Sequence, residues 1–235
     1  MHRRDQISAN LTTIRSRIAR AGVDPDAIAI VAVTKGQPVE VCQAAVAVGL
    51  AVLGENRVQE ALRKVDEVPG AVWHLIGHLQ TNKVRHAHRF ALIQSLDSVR
   101  LAEALAERGG AEALLEVNVA REAQKHGVGP QEAVAVAARV AELVQLRGLM
   151  AMGPADRDPR PAYAELRRLR DEVEQRLGRA LPILSMGMSD DLEAAVAEGG
   201  TMLRIGRALF GDRPSAEKRR SAGPNFTDSR RSAIE

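Results

Sequence analysis

The chain has 235 residues, of which 45% are hydrophobic and only 2% aromatic, so its core must consist mainly of Ala, Val, Leu and Ile. This composition is typical of parallel strands covered by helices and argues against an all-β sandwich, which would use more aromatic side chains. The net charge of +3 comes mainly from residues 212–235, and with few aromatic side chains to stack on bases we expect no nucleic-acid partner.

The compartment is predicted from the first residues and the cysteine content. The chain opens without the apolar stretch of a secretory signal, and its single cysteine, Cys42, cannot form an internal disulfide. No window approaches the roughly 18 consecutive apolar residues of a membrane span. We therefore expect a soluble, cytoplasmic protein with no membrane partner.

Helical and strand-like segments alternate along the chain. Apolar residues at helical spacing predict a helix over residues 5–20. Eight apolar runs of strand length follow, at 27–33, 50–53, 72–76, 90–96, 113–119, 146–152, 181–186 and 201–205. With Ala/Leu/Glu/Arg-rich helices between them, they predict a single α/β domain over residues 1–211, a (β/α)₈ TIM barrel with an extra N-terminal helix, rather than an open sheet. Residues 212–235 lack apolar periodicity and are predicted to form a disordered basic tail.

A lysine follows the first predicted strand, in Thr34-Lys35-Gly36. Active sites of such barrels lie at the C-terminal ends of the strands, and a partly desolvated amine there can attack an aldehyde to form a Schiff base. Only five of the 33 basic residues are lysine, which favours a chemical role for the amine, because a guanidinium group could not replace it. The residues alone leave open a rim lysine that extends into water.

Small residues follow the seventh and eighth predicted strands. LSMGMSDDLEAAV places Ser185, Gly187 and Ser189 before a helix that begins with Ser189 or Asp190 as N-cap, and RIGRALFG places Gly206 after the last strand. Glycine lets backbone amides approach an anion, and helix N-termini after these two strands commonly bind phosphate. The pattern predicts a ligand with a phosphate, unless these residues only form turns and caps.

Arg204 lies within the eighth predicted strand, where its charge needs a partner. It could face the ligand, or form an ion pair inside the barrel, for instance with Glu116. The residues do not decide between these two interpretations.

Further polar residues lie near the second and third strand ends, and their side chains could orient a ligand or satisfy structural hydrogen bonds. They are Asn56, His74, Gly77, Gln80 and Asn82. For His74, inside an apolar run, the structural role is expected. The six histidines and one cysteine lack the spacing of a zinc site, so no metal is predicted.

Six motifs occur in order over about residues 5–211: AVTKGQP, GENRVQE, WHLIGHLQTNK, RGLMAMGP, LSMGMSDDLEAAV and RIGRALFG. In these motifs the sequence resembles the pyridoxal 5′-phosphate (PLP) homeostasis proteins. The resemblance implies a barrel like the N-terminal domain of alanine racemase, of PLP fold type III, with the cofactor bound as a Schiff base to Lys35. It also implies that Ser185, Gly206 and the neighbouring backbone at Met186 and Gly187 hold the phosphate, and Arg207 lies next to these phosphate-binding residues.

The resemblance further implies that Arg204 faces the pyridine nitrogen and that Asn56 lies beside the ring. An arginine there leaves the nitrogen unprotonated and weakens the ring as an electron sink, which suits a carrier better than an enzyme. The only tyrosine, Tyr163, is expected in a helix remote from any strand end, so no second acid/base and no catalytic residue is predicted. Many relatives have threonine where this chain has Arg207, which could bind phosphate or turn outward.

The expected function is a PLP-binding regulator of vitamin B6 homeostasis that buffers the cofactor or delivers it to PLP-dependent apo-enzymes, with the protein a monomer. Lys83 and Lys125 could assist transfer, although a solvated loop charge is the preferred interpretation of each. The alternatives are a PLP-dependent amino-acid racemase-like enzyme and a cofactor-free Schiff-base aldolase, which would purify without colour.

Overall fold

A computed structural model describes residues 3–211, and the predicted tail at 212–235 lies outside the described residues. Eight parallel strands pair in chain order, and β8 pairs with β1, so the sheet closes into a barrel. They are β1 (Ala29–Val33), β2 (Val52–Glu55), β3 (Val72–Leu75), β4 (Leu92–Leu96), β5 (Glu112–Glu116), β6 (Gln145–Met150), β7 (Ile183–Ser185) and β8 (Met202–Ile205). The predicted (β/α)₈ barrel is confirmed.

Helices surround the barrel between successive strands, except that a 3₁₀ segment, Thr81–Arg89, connects β3 to β4. The helices are α1 (Arg3–Arg20), α2 (Val39–Ala47), α3 (Val58–Leu62), α4 (Val99–Ala106), α5 (Ala133–Ala141), α6 (Arg160–Leu177), α7 (Leu192–Ala197) and α8 (Arg207–Phe210). Among the described residues, none of these helices combines the length and the apolar character needed to cross a membrane.

The extra N-terminal helix α1 is present as predicted and lies in the outer layer of helices beside α8. Its buried face carries Ile7, Ile14 and Ile18, and it packs against α2, α7 and α8. Arg17 donates to both carboxylate oxygens of Glu193 at 2.6 and 2.7 Å, which ties α1 to α7. Burial of this apolar stripe fixes α1 across the seam between the first and last units.

The barrel interior has an apolar and a polar layer. The apolar layer is a separate cluster of buried side chains from five strands: Val31, Leu92, Leu114, Met150 and Met202. Polar side chains are buried in the interior as well, and these include His74, Gln94, Ser185 and Arg204. A polar group buried in this way must be hydrogen-bonded, so this layer is expected to be a connected network.

Candidate functional site

A cavity of about 350 Å³ opens at the carboxyl ends of the strands. Five of the eight predicted site residues line it: Lys35, Asn56, Arg204, Gly206 and Arg207. Met188, Ser189 and Asp190, from the loop after β7, complete one wall. The volume lies within the range of small-molecule sites, about 300 to 1,000 Å³.

Lys35 lies half-buried immediately beyond β1, in a segment held from both sides. Before it, Thr34 donates from Oγ1 to Oε1 of Glu55 at 2.7 Å. After it, the backbone N–H of Gly36 donates to Oε1 of Glu60 at 2.5 Å. Gly36 has φ of +74°, a conformation that glycine adopts without strain. The backbone that carries Lys35 is therefore fixed by the second βα unit.

A buried ammonium group, that of Lys64, organises these contacts. Its Nζ lies 2.6 Å from Oε1 of Glu55 and 2.8 Å from Oε1 of Glu60, and it donates to the carbonyl of Thr34 at 2.9 Å. Burial alone would lower the pKa of Lys64, but hydrogen bonds with both glutamates and the charge of Glu55 raise it above its usual value. Lys64 therefore stays charged, and the sequence interpretation did not identify this cluster.

The side chain of Arg204 is buried in the barrel and held there by hydrogen bonds. Its Nη1 donates to the carbonyl and to Oγ of Ser185 at 2.8 and 2.7 Å, and Nη2 donates to the carbonyl of Ala151 at 2.8 Å. Burial lowers the pKa of Arg204, opposed by nearby acidic groups that include Glu116. The expected alternative of a contact ion pair with Glu116 is wrong, since the charge of Arg204 is satisfied by oxygens of the β6 and β7 ends.

The polar network continues from Arg204 across the barrel. Ser185 donates to Oε1 of Gln94 at 2.6 Å, and the amide nitrogen of Gln94 lies 2.9 Å from Nδ1 of His74. Burial lowers the pKa of His74 to about 4, so this imidazole is neutral near pH 7 and accepts from Gln94. His74 is thus a hydrogen-bonded interior residue, as its position in an apolar run indicated.

Ser185, Met186 and Gly187 lie outside the lining of the cavity. The Ser185 hydroxyl is buried beneath Arg204, and Met186 packs in the apolar core. A Cβ at Gly187 would lie 2.4 Å from the Cβ of Ala195, so only glycine lets this turn approach α7. These three residues therefore lie behind the cavity wall. Their contacts with phosphate stay a prediction.

The helix after β7 begins differently from the sequence prediction. Its N-cap is Asp191 rather than Ser189 or Asp190. Asp191 accepts from the N–H of Met188 at 2.6 Å with one carboxylate oxygen and from the hydroxyl of Tyr163 at 2.5 Å with the other. The carboxylate therefore shapes the loop that lines the cavity, and Ser189 is left to accept from the N–H of Ala208 at 3.1 Å.

Tyr163 does not lie remote from the strand ends, so that expectation is wrong. Its hydroxyl meets Asp191 after β7, and a Cβ at Gly153 after β6 would lie 2.6 Å from it. Burial and the charge of Asp191 raise the pKa of Tyr163. Because α6 follows β6, it begins at the carboxyl ends of the strands, and Tyr163 in its first turn lies close to them.

The last strand leads into α8 through Gly206, next to the cavity. Nη2 of Arg207 forms an exposed ion pair with Oδ2 of Asp190 on the opposite loop. The guanidinium group of Arg207 is thus paired with a carboxylate while the side chain remains exposed to solvent. Both side chains remain at the cavity wall.

A second cavity, of about 450 Å³, adjoins the first, and Asn56, Ile76 and Met152 line both. Glu116, at the end of β5, lines the second cavity although the residue is only 4% exposed. Burial raises the pKa of Glu116 to about 7, and the charge of Arg204 opposes this rise. A carboxyl group that titrates near neutral pH thus lies beside the cavity that contains Lys35.

The remaining predicted candidates lie at the second cavity or in its loops. Lys83 and Gln80 line it. Lys125 donates to Glu122 at 2.9 Å and to the carbonyl of Gly153 at 2.8 Å, which makes it a loop-organising residue. Asn82 is exposed in the 3₁₀ segment.

Comparison with known proteins places this geometry in a family context. Residues 3–214 match the family described as alanine racemase, N-terminal domain. The pyridoxal phosphate homeostasis protein of Pseudomonas aeruginosa is 41% identical over 221 residues, which cover 88% of this chain and 96% of that protein. The protein of the same name from Aquifex aeolicus is 40% identical over 222 residues, which cover 89% and 97%.

Solved structures agree with the fold. PipY of Synechococcus elongatus, solved with PLP bound, is 34% identical with a TM-score of 0.76 and covers 87% of this chain and 100% of its own. Alanine racemase from Corynebacterium glutamicum is 18% identical with a TM-score of 0.71, and the match covers 91% of this chain and 62% of that one. The second likeness concerns the barrel fold alone.

Proposed function

Because this chain belongs to the alanine racemase N-terminal domain family, and within it to the pyridoxal phosphate homeostasis proteins, we propose that it binds PLP at Lys35 and buffers or delivers the cofactor. The observation that carries the proposal is the position of Lys35, whose side chain shares one cavity with Arg204 and Gly206. The amine of Lys35 can react with the aldehyde of PLP. Arg204 can face the ring nitrogen, and the backbone at Gly206 can bind the phosphate.

The residues present fit the cofactor. PLP, when bound, supplies an aldehyde that forms an imine with a lysine amine and a ring that withdraws electrons. Lys35 offers the amine on a backbone that Glu55, Glu60 and Lys64 hold in place, so it needs little reorganisation on binding.

The phosphate is assigned to the wall formed by the loop after β7 and the start of α8. Gly206 and Arg207 would bind it, together with the backbone near Ser185, Met186 and Gly187. Arg207 can exchange its carboxylate partner Asp190 for the phosphate, because that ion pair is exposed and contributes little. Asn56 would lie beside the ring.

Arg204 is proposed to face the pyridine nitrogen. A guanidinium group only donates hydrogen bonds, so a ring nitrogen opposite it must act as an acceptor and stay unprotonated. Three hydrogen bonds to Ser185 and Ala151 prevent Arg204 from moving away. This environment favours storage and release over carbanion chemistry, and we propose a cytoplasmic monomer that supplies PLP-dependent apo-enzymes.

A second candidate function, an amino-acid racemase-like enzyme, is favoured by one observation. Glu116 has a pKa of about 7 and lines the cavity next to that of Lys35, so it could exchange a proton with an amino compound at neutral pH. Steady turnover of an amino acid, lost in Glu116→Gln, would establish this candidate. A cofactor-free aldolase is the remaining alternative.

The test is the absorption spectrum and intact mass of the purified protein before and after borohydride reduction. We expect a yellow protein that reduction converts into a single PLP adduct. Lys35→Arg keeps the charge but removes the nucleophilic amine, so it should give no adduct, whereas the matched variant Lys83→Arg should behave as the wild type. A colourless protein that added PLP cannot charge would refute the proposal and favour the aldolase.

A further inference from the structure

Three side chains from successive strand ends meet beside the second cavity. His78 follows β3, Asp97 follows β4, and His126 lies in the loop after β5. Their potential ligand atoms all lie within 4.8 Å of one another. Nδ1 of His78 is 2.8 Å from Oδ2 of Asp97, and the two imidazole rings stack with centroids 4.5 Å apart. Nothing in the proposed PLP site uses this cluster.

The backbone around His126 is held by a β-bridge and by side-chain hydrogen bonds. Val117 forms a parallel bridge with Val128, and the side-chain amide of Asn118 donates to the carbonyls of Glu122 and Lys125 at 2.9 and 3.2 Å. A Cβ at Gly127 would lie 2.9 Å from the backbone of Asn118, so the turn next to His126 is closed tightly. The imidazole of His126 is thus presented from a fixed position.

The side chain of Asp97 and the backbone before His78 are also held by neighbours. The hydroxyl of Ser98 lies 3.2 Å from the second carboxylate oxygen of Asp97, and Ser98 itself is the N-cap of α4. The carbonyl of Gly77, next to His78, accepts from the hydroxyl of Ser95 at 2.7 Å. Hydrogen bonds to the groups behind a set of ligands orient those ligands in metal sites.

We propose that His78, Asp97 and His126 form a binding site for a divalent transition-metal ion. Two imidazoles and one carboxylate suit Zn²⁺, Ni²⁺, Co²⁺ or Cu²⁺, whereas Mg²⁺ and Ca²⁺ prefer oxygen ligands throughout. Three protein ligands leave at least one coordination position open, and His78 and His126 also line the second cavity, so water in that cavity completes the coordination.

The ion replaces the hydrogen bond between His78 and Asp97. In that bond Nδ1 of His78 carries the proton, and transfer of the proton to Nε2 gives the tautomer whose Nδ1 lone pair can coordinate. Two ligands of a tetrahedral Zn²⁺ lie about 3.4 Å apart, given Zn–ligand distances of about 2.1 Å. Since the ligand atoms already lie within 4.8 Å, rotation of the exposed imidazoles is sufficient to reach this geometry.

Zinc titration of the full chain, with a chromophoric chelator as competitor, tests the proposal. We expect one ion per chain, with at least tenfold weaker binding in His126→Gln and in Asp97→Asn. His88→Gln removes an exposed histidine from the neighbouring 3₁₀ segment and should bind as the wild type. Thermal melting of each variant checks that it folds, and Co²⁺ absorption provides an independent measure of histidine coordination.

The proposed metal site is independent of the PLP site, and the Lys35→Arg variant separates the two. That variant should lose PLP and keep its zinc stoichiometry. Zinc binding that disappears with PLP would place the ion on the cofactor and overturn the proposal. Equal zinc affinity in the wild type, His126→Gln and Asp97→Asn would also overturn it.

Discussion

Nζ of Lys64 lies 2.6 Å from Oε1 of Glu55, in a pair whose side chains are 7% and 0% exposed. Glu55 ends β2, and Lys64 also donates to the carbonyl of Thr34 beyond β1. The pair therefore joins the first two βα units directly behind Lys35. Its two charges are removed from water, which makes each of them costly without the other.

Replacing Lys64 by methionine is expected to destabilise the protein by about 3 to 5 kcal/mol, because it leaves Glu55 buried and unpaired. The free energy of unfolding in urea measures this loss. Lys83→Met, at a half-buried position of the 3₁₀ segment, is the matched control and should cost less than about 1 kcal/mol. Similar stabilities for the two variants would contradict the role of the buried pair.

Ser185 is expected to act by holding Arg204. Ser185→Ala removes the hydroxyl that links Nη1 of Arg204 to Oε1 of Gln94, at an expected cost of about 1 to 3 kcal/mol. PLP affinity should fall as well, because Arg204 loses one of its three hydrogen bonds. Ser16→Ala, on the exposed face of α1, should change neither quantity. Unchanged PLP affinity in a destabilised Ser185→Ala would limit Ser185 to a structural role.

The barrel could be predicted from the sequence because helices cover its strands on the outside and packed side chains cover them on the inside. Both faces of each strand are buried, so each strand is an apolar run, and the predicted and observed strands overlap in all eight cases. The connection Thr81–Arg89 forms a 3₁₀ rather than an α-helix, and its two buried apolar residues, Val84 and Ala87, are three positions apart, which is one turn of a 3₁₀ helix. Periodicity thus located the elements that bury apolar surface.

The site could be predicted in part. Lys35 and Gly206 follow strands directly, and residues at that position line the cavity of a barrel. Ser185 is the last residue of β7, and whether its hydroxyl points into the barrel depends on a shift of one residue. Lys64 reaches the strand ends from the turn after α3, and Tyr163 from the first turn of α6. Contacts of that kind depend on tertiary packing rather than on a local pattern.

Gly148 is expected to be indispensable for the pairing of β6 with β7. A Cβ there would lie 1.8 Å from the carbonyl oxygen of Ile183, which is a backbone atom of the neighbouring strand. Gly148→Ala should therefore destabilise the fold by at least about 2 kcal/mol or prevent folding. At Gly129 the nearest atom is the end of the flexible Gln131 side chain, at 3.3 Å. Gly129→Ala should thus melt close to the wild type, and equal melting temperatures for both variants would refute the prediction.

Glu116 is expected to make stability depend on pH. Burial raises its folded-state pKa to about 7, above the unfolded value near 4.5. The protonated carboxyl therefore contributes its full stability below about pH 4.5, and this contribution is lost as the pH rises to about 7. The loss is about 3.5 kcal/mol at most, since one pKa unit corresponds to about 1.4 kcal/mol.

Glu116→Gln keeps the shape of the carboxyl group and cannot ionise. Its free energy of unfolding in urea should match that of the wild type at low pH and exceed it by about 2 to 3 kcal/mol above neutral pH. Glu103→Gln, on the exposed face of α4, is the matched control and should differ by less than about 0.5 kcal/mol at either pH. A Glu116→Gln variant that is less stable than the wild type above neutral pH would mean that Glu116 is ionised and favourably paired with Arg204, whose charge opposes the rise in pKa. The carboxyl group could then not exchange protons near pH 7, and the racemase-like alternative would lose the observation that favours it.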